Sequence, residues 1–246
     1  MGANHQLIMA HRMYATITAV SGQAGGASDF AGTNTSISKS YTSNVTSGNL
    51  LVVVGLRASD SSTAWSAGSL TKSAGTATIG TISLDRVPTS INLEGTDIMH
   101  IGIWSCLVTG SGSLTFQLSD SNGTYRGFVI GIDEYSSSSG WDSSRAESGN
   151  SGGTATNDQT APTSGNATSA GSAVFVGGMV DFNGANQAIG QDAAFSVIFE
   201  EENGATSLHG STIRRIVSGP TTDSADWTIG TPNGGWMAAV QVYKPV

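Results

Sequence analysis

Carboxylates are the first residues in this chain that could do chemistry: a pair at Asp133-Glu134 and a run at Glu200-Glu201-Glu202. A glycosidase needs two carboxyl groups facing each other across the scissile bond. Asp133 and Glu134 follow Phe128-Val129-Ile130-Gly131-Ile132, which has strand character, and neighbours in a strand point to opposite faces, so they cannot be that pair. The glutamate run ends a strand-like stretch just before Asn203-Gly204, the composition of a solvated, edge-protecting patch. Loop carboxylates such as Asp60, Asp120, Asp181 and Asp192 could converge on calcium, yet no EF-hand or nonapeptide spacing links them. His5, His11, His100 and His209 are far apart, and no Gly-x-Ser-x-Gly elbow marks a serine nucleophile. Cys106 is alone inside Ile101 to Val108, which rules out an internal disulfide framework, and no Cys/His spacing fits zinc. The expectation is a non-enzymatic protein with no catalytic residue, metal or cofactor.

Aromatic side chains offer a different chemistry. Trp65, Trp141 and Tyr125 fall in or beside loops rich in Asn, Asp and Ser, where an aromatic plane can stack on a sugar face. The competing reading, that each ring plugs the edge of a core, is favoured because large apolar residues are usually buried.

The elements that must hold these residues read as strands. Leu50 to Leu56 is continuously apolar, as in a strand covered on both faces. Asp97 to Val108 is rich in β-branched and aromatic residues and has too poor a 3.6-residue period for a helix. Leu114, Phe116 and Leu118 alternate, and further strands are expected near Tyr14 to Val20, Thr33 to Tyr41, Thr78 to Arg86, Ala173 to Phe182, Ala194 to Glu202, Ser211 to Val217, Trp227 to Ile229 and Trp236 to Tyr243. Asn122-Gly123, Asn183-Gly184, Asn203-Gly204 and Asn233-Gly234 sit between strand-like runs and predict antiparallel hairpins. Two stretches also echo one another. Val45 to Leu56 is answered by Ala167 to Met179, and Leu114 to Tyr135 by Trp227 to Tyr243. Two similar antiparallel halves closing on one core predict a two-sheet β-sandwich of jelly-roll or Greek-key type. The expected layout is one domain over 14–246, with a long crossing loop near 136–172.

Composition agrees with strands and narrows the partners. The 246 residues include 33 glycines, Ser and Thr make up about a quarter, and only 11% are charged. With 38% hydrophobic residues gathered into strand-length runs, the chain is not a disordered one. A net charge of −8 with no basic stripe makes nucleic acid and anionic membrane surfaces poor partners. No run of 18 apolar residues spans a membrane, and the first residues lack the pattern of a signal peptide.

At Leu50 to Leu56, Ile101 to Val108, Phe128 to Tyr135 and Trp236 to Lys244 the chain resembles β-sandwich modules of tailed-bacteriophage virion proteins and bacterial surface proteins. The likeness lies in the opening Thr46-Ser47-Gly48-Asn49-Leu50-Leu51-Val52-Val53-Val54, the strand end Glu134-Tyr135 and the final Trp236-x-Ala238-x-Val240. This resemblance implies a virion structural protein: a capsid decoration (cement) protein, a head fibre or a tail adhesion module. Such a protein would be made in the cytoplasm, would form a homo-oligomer, often a trimer, and would contact the major capsid protein or another virion protein. Residues 1–13 are expected to form a docking arm with Leu7, Ile8, Met9 and Met13 as apolar anchors. The alternative is a tail or fibre adhesion module that binds surface glycans through Trp65, Trp141 and Tyr125.

Overall fold

The computed structural model describes residues 14–30, 34–60, 63–92, 98–120, 125–154, 161–182, 189–203, 208–230 and 234–246. Residues 1–13, with Leu7, Ile8, Met9 and Met13 of the expected docking arm, lie outside the described residues. The first half forms β1 (Ile17–Ala19), β2 (Gly25–Asp29), β3 (Ser36–Ser40), β4 (Leu50–Ser59), β5 (Leu70–Ala74), β6 (Thr78–Ile79), β7 (Ser83–Arg86), β8 (Ile91–Asn92), β9 (Ile98–Gly110), β10 (Thr115–Ser119) and β11 (Tyr125–Ser137). The second forms β12 (Ala146–Thr154), β13 (Ala167–Ser169), β14 (Ser172–Phe182), β15 (Ile189–Gln191), β16 (Ser196–Asn203), β17 (Leu208–Ser218), β18 (Thr221–Asp223), β19 (Trp227–Ile229) and β20 (Trp236–Tyr243). Among the described residues a single 3-10 turn, Ala67–Ser69, is the helical content. The protein is all-β, with several antiparallel sheets, consistent with the expected β-sandwich.

The register exposes an internal repeat. In the first half β4 lies between β11 and β9, and Leu50 stands opposite Tyr135 on one side and Leu107 on the other. In the second half β14 lies between β20 and β17, and Val174 stands opposite Tyr243 and Ile216. The central strand comes first in the chain each time, and its two long neighbours follow on opposite sides. Small outer sheets complete each unit, one in the first and two in the second. β10 pairs with β3 and β5 in the first; in the second, β18 pairs with β13 and β19 with β15.

Strand alternation then builds three cores from two repeats. Leu51 and Val53 of β4 point to the small sheet and meet Phe116 and Leu118, while Phe175 and Met179 of β14 meet Trp227 and Ile229. The opposite faces of the central strands, Leu50, Val52, Val54 and Leu56 against Val174, Val176 and Val180, close on each other in the shared core. Glycines set how near the two large sheets come. A Cβ on Gly178 would stand 2.6 Å from the Val54 side chain, and one on Gly131 would stand 2.4 Å from Thr212. At either distance a side chain on the glycine would force its neighbour to shift.

Two expectations change. Of the four Asn-Gly pairs, only Asn203-Gly204 joins strands that pair, β16 and β17. The other three join β10 to β11, β14 to β15 and β19 to β20, whose members belong to different sheets. Facing Phe116 and Leu118 onto Phe128, Ile130 and Ile132 puts more apolar surface into a core than edge pairing would. The stretch 136–172 is not one long loop, because it holds β12 and β13, and β12 adds an edge strand to β20. Its Gly and Ser residues masked that strand, since a ladder is made by the backbone and an edge asks little of side chains.

Candidate functional site

The ionisable groups inside the molecule mostly hold its layers together. Asp133 and Glu134 are both fully buried and do point to opposite faces of β11. Asp133 crosses the shared core boundary to pair with Arg214 of β17. Burial pushes its carboxyl up from the ordinary range, opposed chiefly by the Arg214 guanidinium. Glu134 turns to its own half and accepts from the Gln23 amide at 2.9 Å, the Thr46 amide at 2.8 Å and the Asn49 amide at 2.7 Å. The second bridge across the halves joins Tyr243, whose hydroxyl donates to Asp85 at 2.9 Å, with Ser105, which donates to the same carboxylate. Arg145 then donates to the Ser105 hydroxyl at 2.9 Å. Burial raises the Asp85 carboxyl as well, against the pull of those hydrogen bonds and of Arg145. Every group here has its partner within the fold, which is the geometry of a structural clamp.

The repeat carries polar residues at matching places. Arg57 is opposite His100 in the first half, and Asp181 is opposite His209 in the second, each seven residues beyond Leu50 and Val174 respectively (50 to 57, 174 to 181). Arg57 pairs with Asp120 and stacks over the Trp65 ring, 5.1 Å from its centroid. His209 Nδ1 stands 3.5 Å from Asp181 Oδ2, with both side chains fully buried. Cys106 is buried in the inner core of the first half, and burial raises its thiol to about 12, so the thiolate needed for nucleophilic work is absent at neutral pH.

Trp65 and Trp141, the expected sugar platforms, are 4% and 8% exposed and therefore plug the interior. Trp65 packs on Trp104 with ring centroids 5.4 Å apart, and Trp141 closes the shared core. Neither offers an open ring face. The Tyr125 side chain lies outside the described residues.

A cleft of about 520 Å³ on the second half was not foreseen. It is lined by Ala161, Pro162, Thr163, Gln191, Asp192, Asp226, Trp227 and Thr228. The backbone holds three segments side by side: Trp227 N donates to Pro162 O at 2.9 Å, Asp192 N to Asp226 O at 3.1 Å, and Gln191 is the cross-strand partner of Trp227. Trp227 turns inward, and its indole donates to Ser211 at 3.1 Å. Its neighbours Asp226 and Thr228 consequently turn to the other face. Asp226 Oδ2 accepts from Ser224 at 2.7 Å, whereas Oδ1 is shielded from water and has no donor among the described residues. Asp192 Oδ1 accepts from the Ala194 amide at 2.7 Å. Asp192 was legible in the sequence only as a loop carboxylate, since nothing local to it signals Asp226 thirty-four residues on (192 to 226).

Among the described residues, no group of three or more His, Cys, Asp or Glu side chains is placed to hold a metal ion, and no helix is long and apolar enough to cross a membrane. Compared with known proteins, the chain matches no family model, no curated protein and no solved structure.

Proposed function

We propose that this protein is a non-enzymatic structural component of a virion, of the capsid decoration type, which binds the outer shell of a phage particle and neighbouring copies of itself. The observation that carries this reading is the use of the interior ionisable groups. Asp133–Arg214 and the Tyr243–Asp85–Ser105–Arg145 chain tie two β-units into one body instead of converging in an open cleft. The likeness of the Leu50, Phe128 and Trp236 strands to virion β-sandwich modules supports the same reading, and so does a surface written in small Ser, Thr and Gly side chains. Such side chains lose little rotamer freedom when a partner covers them.

Docking is assigned to residues 1–13, with Leu7, Ile8, Met9 and Met13 as anchors. Deleting them abolishes binding to particles while the β-units stay folded; undiminished occupancy on particles would overturn the assignment. Light scattering over a concentration series reports the assembly. A concentration-independent trimer supports a protein seated on a lattice axis. A persistent monomer removes that support.

A further inference from the structure

We propose that the cleft formed by Pro162-Thr163, Gln191-Asp192 and Asp226-Thr228 is a binding site for a neutral carbohydrate. The inference goes beyond the virion reading and does not depend on it. At about 520 Å³ the cleft falls within the roughly 300–1,000 Å³ of small-molecule sites. Its chemistry selects the ligand. Among the described residues the lining holds two carboxylates, one carboxamide and the hydroxyls of Thr163 and Thr228, and no Lys, Arg or His. Acceptors therefore outnumber donors among the described lining residues. A ligand rich in hydroxyl groups supplies what is lacking, because each hydroxyl donates one hydrogen bond and those to carboxylates are the stronger kind.

The same lining disfavours other classes. A phosphate or other anion would meet Asp192 and Asp226 with no counter-charge among the described lining residues. An apolar ligand would strip water from two carboxylates and return no hydrogen bond. A bare calcium ion asks for six to eight converging oxygens, and the described residues offer no cluster of three acidic, His or Cys side chains. Ala161 and Pro162 give the C–H faces of a sugar an apolar surface, so the site works without the exposed tryptophan that sequence alone led one to seek.

The test is isothermal titration calorimetry on the full chain with a panel of neutral oligosaccharides built from glucose, galactose and N-acetylhexosamines. Calcium chloride and inorganic phosphate serve as separate titrants. At least one neutral oligosaccharide binds, and Asp226→Asn and Asp192→Ala each weaken it about tenfold or more, the loss of one charged hydrogen bond. Trp65→Phe, on the other half, leaves the affinity unchanged. If Asp226→Asn does not fold, Gln191→Ala on the half-buried rim of the cleft replaces it, with the same weakening expected. The proposal is overturned by no binding across the panel, by sugar binding that survives the cleft variants, or by a response to calcium or phosphate alone. Loss of particle binding after removal of residues 1–13 leaves the sugar titration as it was, so the two readings fail separately.

Discussion

Arg214 and Asp133 show what a single ion pair does when it is built across an interface between sheets. The Asp133 side chain is fully buried and that of Arg214 is 21% exposed, so removing the cation strands a carboxylate inside the protein. Arg214→Met is expected to cost about 3–5 kcal/mol of unfolding free energy in a denaturant titration, the usual result of breaking one side of a buried pair. A loss under 1 kcal/mol would mean that water reaches Asp133. Asp85 makes a pH prediction. Its folded carboxyl is raised above the ordinary 3.8 by burial, so the folded state holds its proton more tightly than the unfolded state does. The stability linked to it is complete below the ordinary value and is lost as pH rises through the raised one. Asp85→Asn keeps an acceptor for Ser105 and Tyr243 but cannot ionise. Unfolding free energy measured against pH should fall less steeply in the variant than in the parent over that window, and equal slopes would show that Asp85 does not titrate there. Of these residues, only the opposite facing of Asp133 and Glu134 was legible beforehand, because it follows from strand geometry alone. Arg214 was invisible as a partner because the contact joins positions 81 apart in the chain.

The strands themselves were easier to read than their pairing. β4, β9, β10, β14 and β20 follow from continuous or alternating apolar runs, whose burial is dictated by period. Which strand lies beside which was not in those runs. Asn-Gly pairs predicted hairpins, yet three of four stand where the chain leaves one sheet for another. A turn signal fixes that the chain reverses, and the competition between edge pairing and face packing decides what it returns to. Two glycines of the large sheets have the same character. Gly178 and Gly131 look like weak points of a strand in isolation, but they let the two large sheets come into contact. Gly178→Val drives a branched side chain into Val54, Leu56 and Ile101 and is expected to destabilise the protein by about 1–3 kcal/mol in denaturant titration. An unchanged midpoint would mean that the sheets separate at little cost.

Two repeated units, each with its own inner core, share a third core, and this arrangement sets how the protein unfolds. The shared core takes in Leu50, Val52, Val54 and Leu56 from one unit and Val174, Val176 and Val180 from the other. Neither unit can leave without exposing that surface, and the Asp133–Arg214 and Asp85–Tyr243 contacts cross the same boundary. Differential scanning calorimetry is expected to give one cooperative transition for the whole chain, displaced as a unit by Gly178→Val. Two resolved transitions, with only one displaced, would show that the units unfold independently.

The echo between Val45–Leu56 and Ala167–Met179 already announced a repeated β-motif, since the order of polar turn and apolar run is legible in the residue types alone. All-β class, antiparallel pairing and the inward burial of most large side chains came from that level too, because they depend on local period and on hydrophobicity. The third core, the pairing of Arg214 with Asp133 and the cleft at Asp192 and Asp226 belong to the folded molecule alone. Each joins residues far apart in the chain, and their meeting is fixed by which faces of the two units bury most apolar surface against each other.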